Sequence, residues 1–310
     1  MKQNKFIGLA LLAFCSVANV SAQNKSYSLK NERYEIAVTA TSIRISVLNE
    51  TNSTRILSPT IQVLQAMQNP RVVLKRSENN LSPQAAWKNP QDQKKSTTDT
   101  TGELDFYKIA KIITVQANSV SQLNAQTVRF LFKRNASFNI QLEVSLPAGN
   151  EAPVIATNLE VLQKAWYSVG FTGIAAQDTS RLQFLYQPMI WTWRRFPEKS
   201  YLTPEQFATT AATFTNDGLL TEGIAPDPSE IPYRFAKLNN SRYGFLLRNA
   251  QGKAQPMLYA PILGAENSLM EAGQKFSFKS RYILQLGDWY AGLNHILKNI
   301  FHYNCAVIFF

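Results

Sequence analysis

Apolar and polar residues alternate along most of this chain, which confines it to strands with one dry face and one wet face. Tyr34, Ile36 and Val38 alternate, as do Ile43, Ile45 and Val47. Val128, Phe130 and Phe132 point one way while Arg129 and Lys133 point the other. After a turn at Asn135-Ala136-Ser137, the pattern resumes as Ile140, Leu142, Val144 and Leu146, which predicts a hairpin. A second hairpin is expected where Gly244-Phe245-Leu246-Leu247 and Met257-Leu258-Tyr259 flank Ala250-Gln251-Gly252-Lys253. Phe276, Phe278, Tyr282, Leu284 and Leu286 make one long strand. Strand follows strand without regular helices between them, so the expected fold is mostly β, a large antiparallel β-sandwich.

Four stretches depart from that pattern. Residues 77–102 are polar and read as a long surface loop. Thr203, an N-cap residue, stands before Pro204 and predicts a short helix over 203–212. Thr221 to Pro232 is rich in proline and acids and reads as a loop. From Asp288 the spacing turns helical, with Trp289, Leu293, Ile296, Ile300 and Phe301 on one face, and Asp288 suits the N-cap. The apolar face and the apolar end Cys305-Ala306-Val307-Ile308-Phe309-Phe310 call for a covering partner. The expected domains are therefore 1–22, 23–287 and 288–310, the last either packing back onto the sandwich or, as the favoured reading, forming the edge of a larger protein.

The N-terminus reads as a signal peptide. Lys2 and Lys5 precede the apolar run Phe6 to Phe14, and Val20-Ser21-Ala22 offers small residues for cleavage. Phe14 is bulky where lipidation at Cys15 needs a small residue, so cleavage after Ala22 is expected. The chain is then exported, to the periplasm or the extracellular space. Loss of Lys2 and Lys5 lowers the net charge from +11 to +9. The remaining charges are spread out, as on a solvated surface, and no nucleic-acid motif accompanies them. Cys305 alone would remain, which excludes an internal disulfide.

The most distinctive stretch is Met189-Ile190-Trp191-Thr192-Trp193-Arg194-Arg195-Phe196. In a strand, Trp191 and Trp193 share a face and make a flat platform on which a sugar ring stacks. Tyr186 and Tyr201 extend it, and Arg194 adds a polar partner. The alternative is that both tryptophans pack between two sheets. Glu222, Asp227 and Glu230 supply carboxylates of the kind glycoside hydrolysis uses, but three acids in one proline-containing loop fit turn and capping roles better. His295 and His302 are seven apart, with no completing ligand, and read as surface residues. No nucleophile elbow, phosphate loop or Cys-X-X-Cys pair is present, so no cofactor or metal is expected.

The exported sandwich, the Trp191 to Phe196 stretch and the Gly287-Asp288-Trp289-Tyr290-Ala291-Gly292 helix start resemble the N-terminal β-supersandwich region of six-hairpin glycosidase-like proteins. That resemblance implies a linker helix leading into a helical barrel that carries the catalytic carboxylates, and no barrel follows Phe310. It implies a glycan-facing chain with no hydrolytic activity of its own. A self-contained carbohydrate-binding or adhesion module is the other reading. A sandwich epimerase or lyase would need the acids, or a histidine with a carboxylate, in one cleft. A glycan is the expected partner, with no nucleic acid and no membrane insertion.

Overall fold

The computed structural model describes residues 25–68, 70, 106–108, 110–188, 190–191, 196–197, 200–205, 210–231 and 241–303, with the backbone alone for Ile190, Trp191 and Glu266. The signal segment, the 77–102 loop, Trp193, Arg194 and the apolar tail lie outside the described residues. The first four strands are β1 (Tyr27–Lys30), β2 (Tyr34–Thr39), β3 (Ser42–Val47) and β4 (Thr54–Leu57). They form an antiparallel meander in sequence order. Its inward positions Tyr34, Ile36, Val38, Ile43 and Ile45 are all fully buried, as the alternation requires.

The main body continues with β5 (Thr60–Ala66), β6 (Lys111–Asn124), β7 (Thr127–Phe132), β8 (Phe138–Ser145), β9 (Val154–Val161) and β10 (Ala165–Phe171). Next come β11 (Phe184–Gln187), β12 (Ile190–Trp191), β13 (Thr203–Pro204), β14 (Thr213–Asn216) and β15 (Leu220–Pro226). β16 (Gly244–Arg248), β17 (Ala254–Ala260), β18 (Leu269–Met270) and β19 (Lys275–Leu286) complete it. β6 joins two layers: its first half pairs with β5 and its second half with β7, with register shifts between Ala117 and Ser119 and between Gln122 and Asn124. Such bulges bend a strand and let it pass from one layer to the next. Layer one runs β6-β5-β10-β17-β16-β13, with β18 also against β10, and layer two runs β6-β7-β8-β9-β19-β15-β14-β11-β12. Every pairing is antiparallel. The meander and the inner faces of both layers share one core, from Leu29 and Phe130 to Tyr167, Phe245 and Tyr282.

The expected hairpins are β7–β8 and β16–β17, and the long strand is β19. Two expectations are corrected. Thr203 and Pro204 do not open a helix; they pair with Phe245 and Gly244 as β13, the last strand of layer one. Proline is tolerated there because an edge strand has no second neighbour to receive its missing N–H. Thr221 to Pro226 is not a loop but β15, fully buried between β14 and β19.

The expected helix is present as α1 (Trp289–His295), and Asp288 caps it by accepting from the Ala291 amide at 3.0 Å. A π turn over Ile296–Ile300 continues it. Its apolar face is covered by the outer side of layer two. Ile296 and Ile300 are buried with Ala212, Phe214, Ala225 and Ile283, and Trp289 and Phe301 pack against them. A methyl group on Gly292 would sit 2.5 Å from Thr221 Oγ1, so the helix lies directly on β15. The face that the six-hairpin resemblance assigns to a helical barrel is taken up by the sandwich itself. None of the helices in the described residues is long and apolar enough to cross a membrane.

Candidate functional site

Of the residues in the sequence-predicted sugar platform, Tyr186, Tyr201 and the backbone of Trp191 lie where the two layers meet edge to edge. β12 is the outermost strand of layer two, and its Trp191 stands opposite Tyr186 of β11. β13 is the outermost strand of layer one and follows Tyr201 closely in sequence. Gln187 fastens the two edges together. It is fully buried, its side-chain nitrogen lies 2.8 Å from Tyr201 O, 2.8 Å from Thr203 Oγ1 and 2.9 Å from Phe245 O, and its oxygen accepts from Leu247 N at 3.1 Å. A buried amide with every donor and acceptor engaged is a stiff cross-link, because breaking any of these contacts strands a polar group away from water. The segment between Gln187 and Thr203, which carries Trp191, Trp193, Arg194 and Tyr201, is therefore anchored at both ends. Along it, the Arg248 guanidinium lies 5.0 Å over the Phe196 ring and donates to Pro197 O at 3.0 Å.

Tyr186 is not part of an open platform. Its ring is 8% exposed and belongs to a ladder of near-parallel rings on the outer side of layer two. Tyr186 stacks on Phe214 at 5.0 Å, Phe214 on Phe184 at 6.1 Å, and Phe184 on Trp289 at 4.9 Å. The Tyr186 hydroxyl donates to Thr210 O at 3.3 Å. Tyr201 is partly buried, and Trp193 and Arg194 lie outside the described residues.

The three acids have separate partners. Glu222 lies on the inner face of β15, 2% exposed. It accepts from the Tyr282 hydroxyl at 2.7 Å, while Arg55 Nε stands 3.4 Å from its other oxygen, which has no hydrogen-bond partner. Burial pushes its pKa up, against the smaller pulls of Tyr282 and Arg55. Asp227 goes the other way. Burial opposes its charge, but the Ser229 hydroxyl and amide and the Arg281 guanidinium, 2.6 Å away, together hold its carboxyl below the usual range. Glu230 pairs with Arg242 at 2.8 Å and accepts from Lys279 N at 3.1 Å. Asp227 and Glu230 thus tie the 227–231 turn to β19 and to Arg242.

His295 is a correction to the sequence reading, being 3% exposed rather than on the surface. Its Nδ1 is 3.2 Å from Asn299 Oδ1, which only accepts, so Nδ1 carries a proton, and its Nε2 lies 3.2 Å from the Tyr34 hydroxyl. His302 is exposed, 3.4 Å from Glu151. Among the described residues, neither histidine contacts a buried carboxylate or a serine, threonine or cysteine side chain. Among the described residues, no group of three or more His, Cys, Asp or Glu is placed to hold a metal ion. Among the described residues, Gln187 anchors this edge and Phe196 and Tyr201 border it. Sequence reasoning missed Gln187, Arg55, Tyr282 and Tyr34, whose roles come from contacts distant along the chain.

No protein-family model matches this chain, and no curated protein matches it. Among solved structures it is similar to a GalM/aldose epimerase homologue from C. elegans, with 9% identity, 85% of this chain and 99% of that one covered, and a TM-score of 0.43. It is similar to a galactose mutarotase-like protein from Lactobacillus casei, with 9% identity, coverages of 84% and 100%, and a TM-score of 0.39. It is also similar to a galactose mutarotase-like protein from Clostridium acetobutylicum, with 10% identity, coverages of 85% and 96%, and a TM-score of 0.34. None of these three is a six-hairpin glycosidase.

Proposed function

We propose that the chain is an exported β-sandwich that binds carbohydrate through the Gln187–Thr203 edge and does not itself cleave or isomerise it. The observation that carries this reading is the Gln187 cross-link, which fixes an aromatic-rich segment to both layers at once. A sugar ring offers a flat C–H face for an indole and hydroxyls for nearby amide and guanidinium groups. Trp191, Trp193 and Arg194 supply those groups within four residues of sequence, and Tyr201 returns to the same edge. Binding without turnover fits the separate engagement of Glu222, Asp227 and Glu230. It also fits a histidine whose two ring nitrogens are spent on Tyr34 and Asn299. The covered face of α1 favours a module that closes on itself over one that awaits a helical barrel.

The test is a glycan array followed by calorimetry on the chain from Gln23 onward. Replacing Trp191 and Trp193 together with alanine removes two stacking rings, each worth about 1 kcal/mol. The expected loss is about 30-fold in affinity, with the thermal midpoint unchanged. Release of reducing sugar, or of a new anomer or epimer, by the purified chain would overturn binding without turnover. Glycan binding indifferent to both tryptophans would overturn the site.

A further inference from the structure

The buried histidine lies on a polar seam where three elements meet. From the meander, Arg33 Nε donates to the Tyr34 hydroxyl at 3.2 Å, and the Arg33 guanidinium also reaches Gln285 Oε1 on β19. The Tyr34 hydroxyl faces Leu284 O of β19 at 3.3 Å and His295 Nε2 of α1 at 3.2 Å. Three further charged or titratable groups border the seam: Tyr282 on β19, and behind it Glu222 on β15 with Arg55 from β4. Among the described residues, no carboxylate is hydrogen-bonded to His295. The Arg33 guanidinium acts on it from the other side of the Tyr34 phenol oxygen. A second cation here would be buried, beside a like charge and without a counter-ion.

We propose that α1 is an acid-loosened cover: protonation of His295 beside Arg33 favours local release of the helix from layer two while the sandwich stays folded. Among the described residues, Tyr34 and Asn299 are the partners of the imidazole polar atoms, and neither brings a negative charge to it. Burial and then Arg33 lower the His295 pKa from its ordinary value to about 4. In the detached helix the imidazole is in water and titrates normally. Between pH 7 and pH 5 the detached state therefore gains roughly 20-fold in population relative to the docked one. Release uncovers Phe184, Phe214, Ala225 and Ile283, an apolar strip next to the strand that carries Trp191. This inference does not rest on the carbohydrate reading.

Hydrogen exchange of the full chain, followed by mass spectrometry and corrected for the intrinsic pH dependence of exchange, tests it. Amides of 289–301 should lose protection about 20-fold between pH 7 and pH 5, while those of β8 and β9 keep theirs. His295→Gln keeps a side chain able to accept from Tyr34 but cannot take a proton, and its 289–301 protection should stay level across that range. Arg33→Gln removes the neighbouring cation, so the loss on acidification should shrink. If 289–301 and β8–β9 lose protection together, or if His295→Gln responds to acid as the parent does, the proposal is wrong.

Discussion

Glu222→Gln should make the protein more stable, and increasingly so as the pH rises. The carboxylate is 2% exposed, and one of its oxygens has no hydrogen-bond partner. Arg55 is a weak counter-ion for it, at 3.4 Å from Nε, because the same guanidinium is committed to Asp217 at 2.8 Å. Burial is the largest influence on this group and raises its pKa above the usual glutamate value. The sign of the effect follows directly. Between the unfolded and the folded pKa the native state binds more protons than the unfolded chain, so stability falls as pH rises through that window. The slope is at most about 1.4 kcal/mol per pH unit. A glutamine has no proton to lose, keeps an oxygen for the Tyr282 hydroxyl, and leaves Arg55 its bond to Asp217. The two proteins should therefore be about equally stable near pH 5, and the variant should lead by about 1 kcal/mol or more at pH 7. His295 contributes an opposite slope, its stabilisation being present above its unfolded pKa and lost as pH falls toward 4. Both proteins share that slope, so the difference between them isolates Glu222. Urea melts at pH 5, 6, 7 and 8, with m unchanged, measure it. A variant less stable than the parent by the same amount at every pH would refute the reasoning. It would mean that the carboxylate is held ionised by Arg55 and that its burial costs nothing.

Two further substitutions probe the packing. Gly170→Ala places a methyl carbon 2.6 Å from the Tyr259 ring, which crosses β10 there to donate to Gln62 Oε1 at 2.7 Å; a loss of about 1–3 kcal/mol in urea melts is expected. Ile296→Ala empties a fully buried position under α1 and should cost about 2–4 kcal/mol, read as a lower thermal midpoint. A cost near zero would show that the helix is not docked on layer two.

The sequence revealed strands that have one wet side. β2, β3, β7, β8 and β19 alternate because their inward positions meet the shared core while their outward positions meet solvent or a polar rim. β15 was misread because it has no wet side. Its inner positions Leu220 and Ile224 enter the main core, Gly223 and Ala225 lie on the other face, and Glu222 breaks the apolar run with a charge. Composition alone then resembles a turn. β13 is two residues long and has no period to detect. Of the site, the aromatic segment was visible because tryptophan pairs are rare in sequence. Its anchor was not, since a single glutamine gives no local signal and the atoms it binds come from residues 14 to 60 positions away. His295 was misplaced for the same reason, because its partner Tyr34 lies 261 residues upstream.

The helix that called for a partner and the strands that lacked a wet face are two halves of one signal. In an antiparallel sandwich an outer face normally carries polar residues. Tyr282, Ile283 and Leu284 are consecutive and all fully buried, so β19 is dry on both sides at that point. Its inner side meets the meander through Tyr34, and its outer side meets α1 through Ile296. A strand that is apolar on both faces needs a third layer, and an amphipathic helix of two turns immediately after that strand is the nearest element able to supply it. The burial demand of α1 is therefore met within the chain, and the aromatic ladder from Tyr186 to Trp289 is the seam along which it is met.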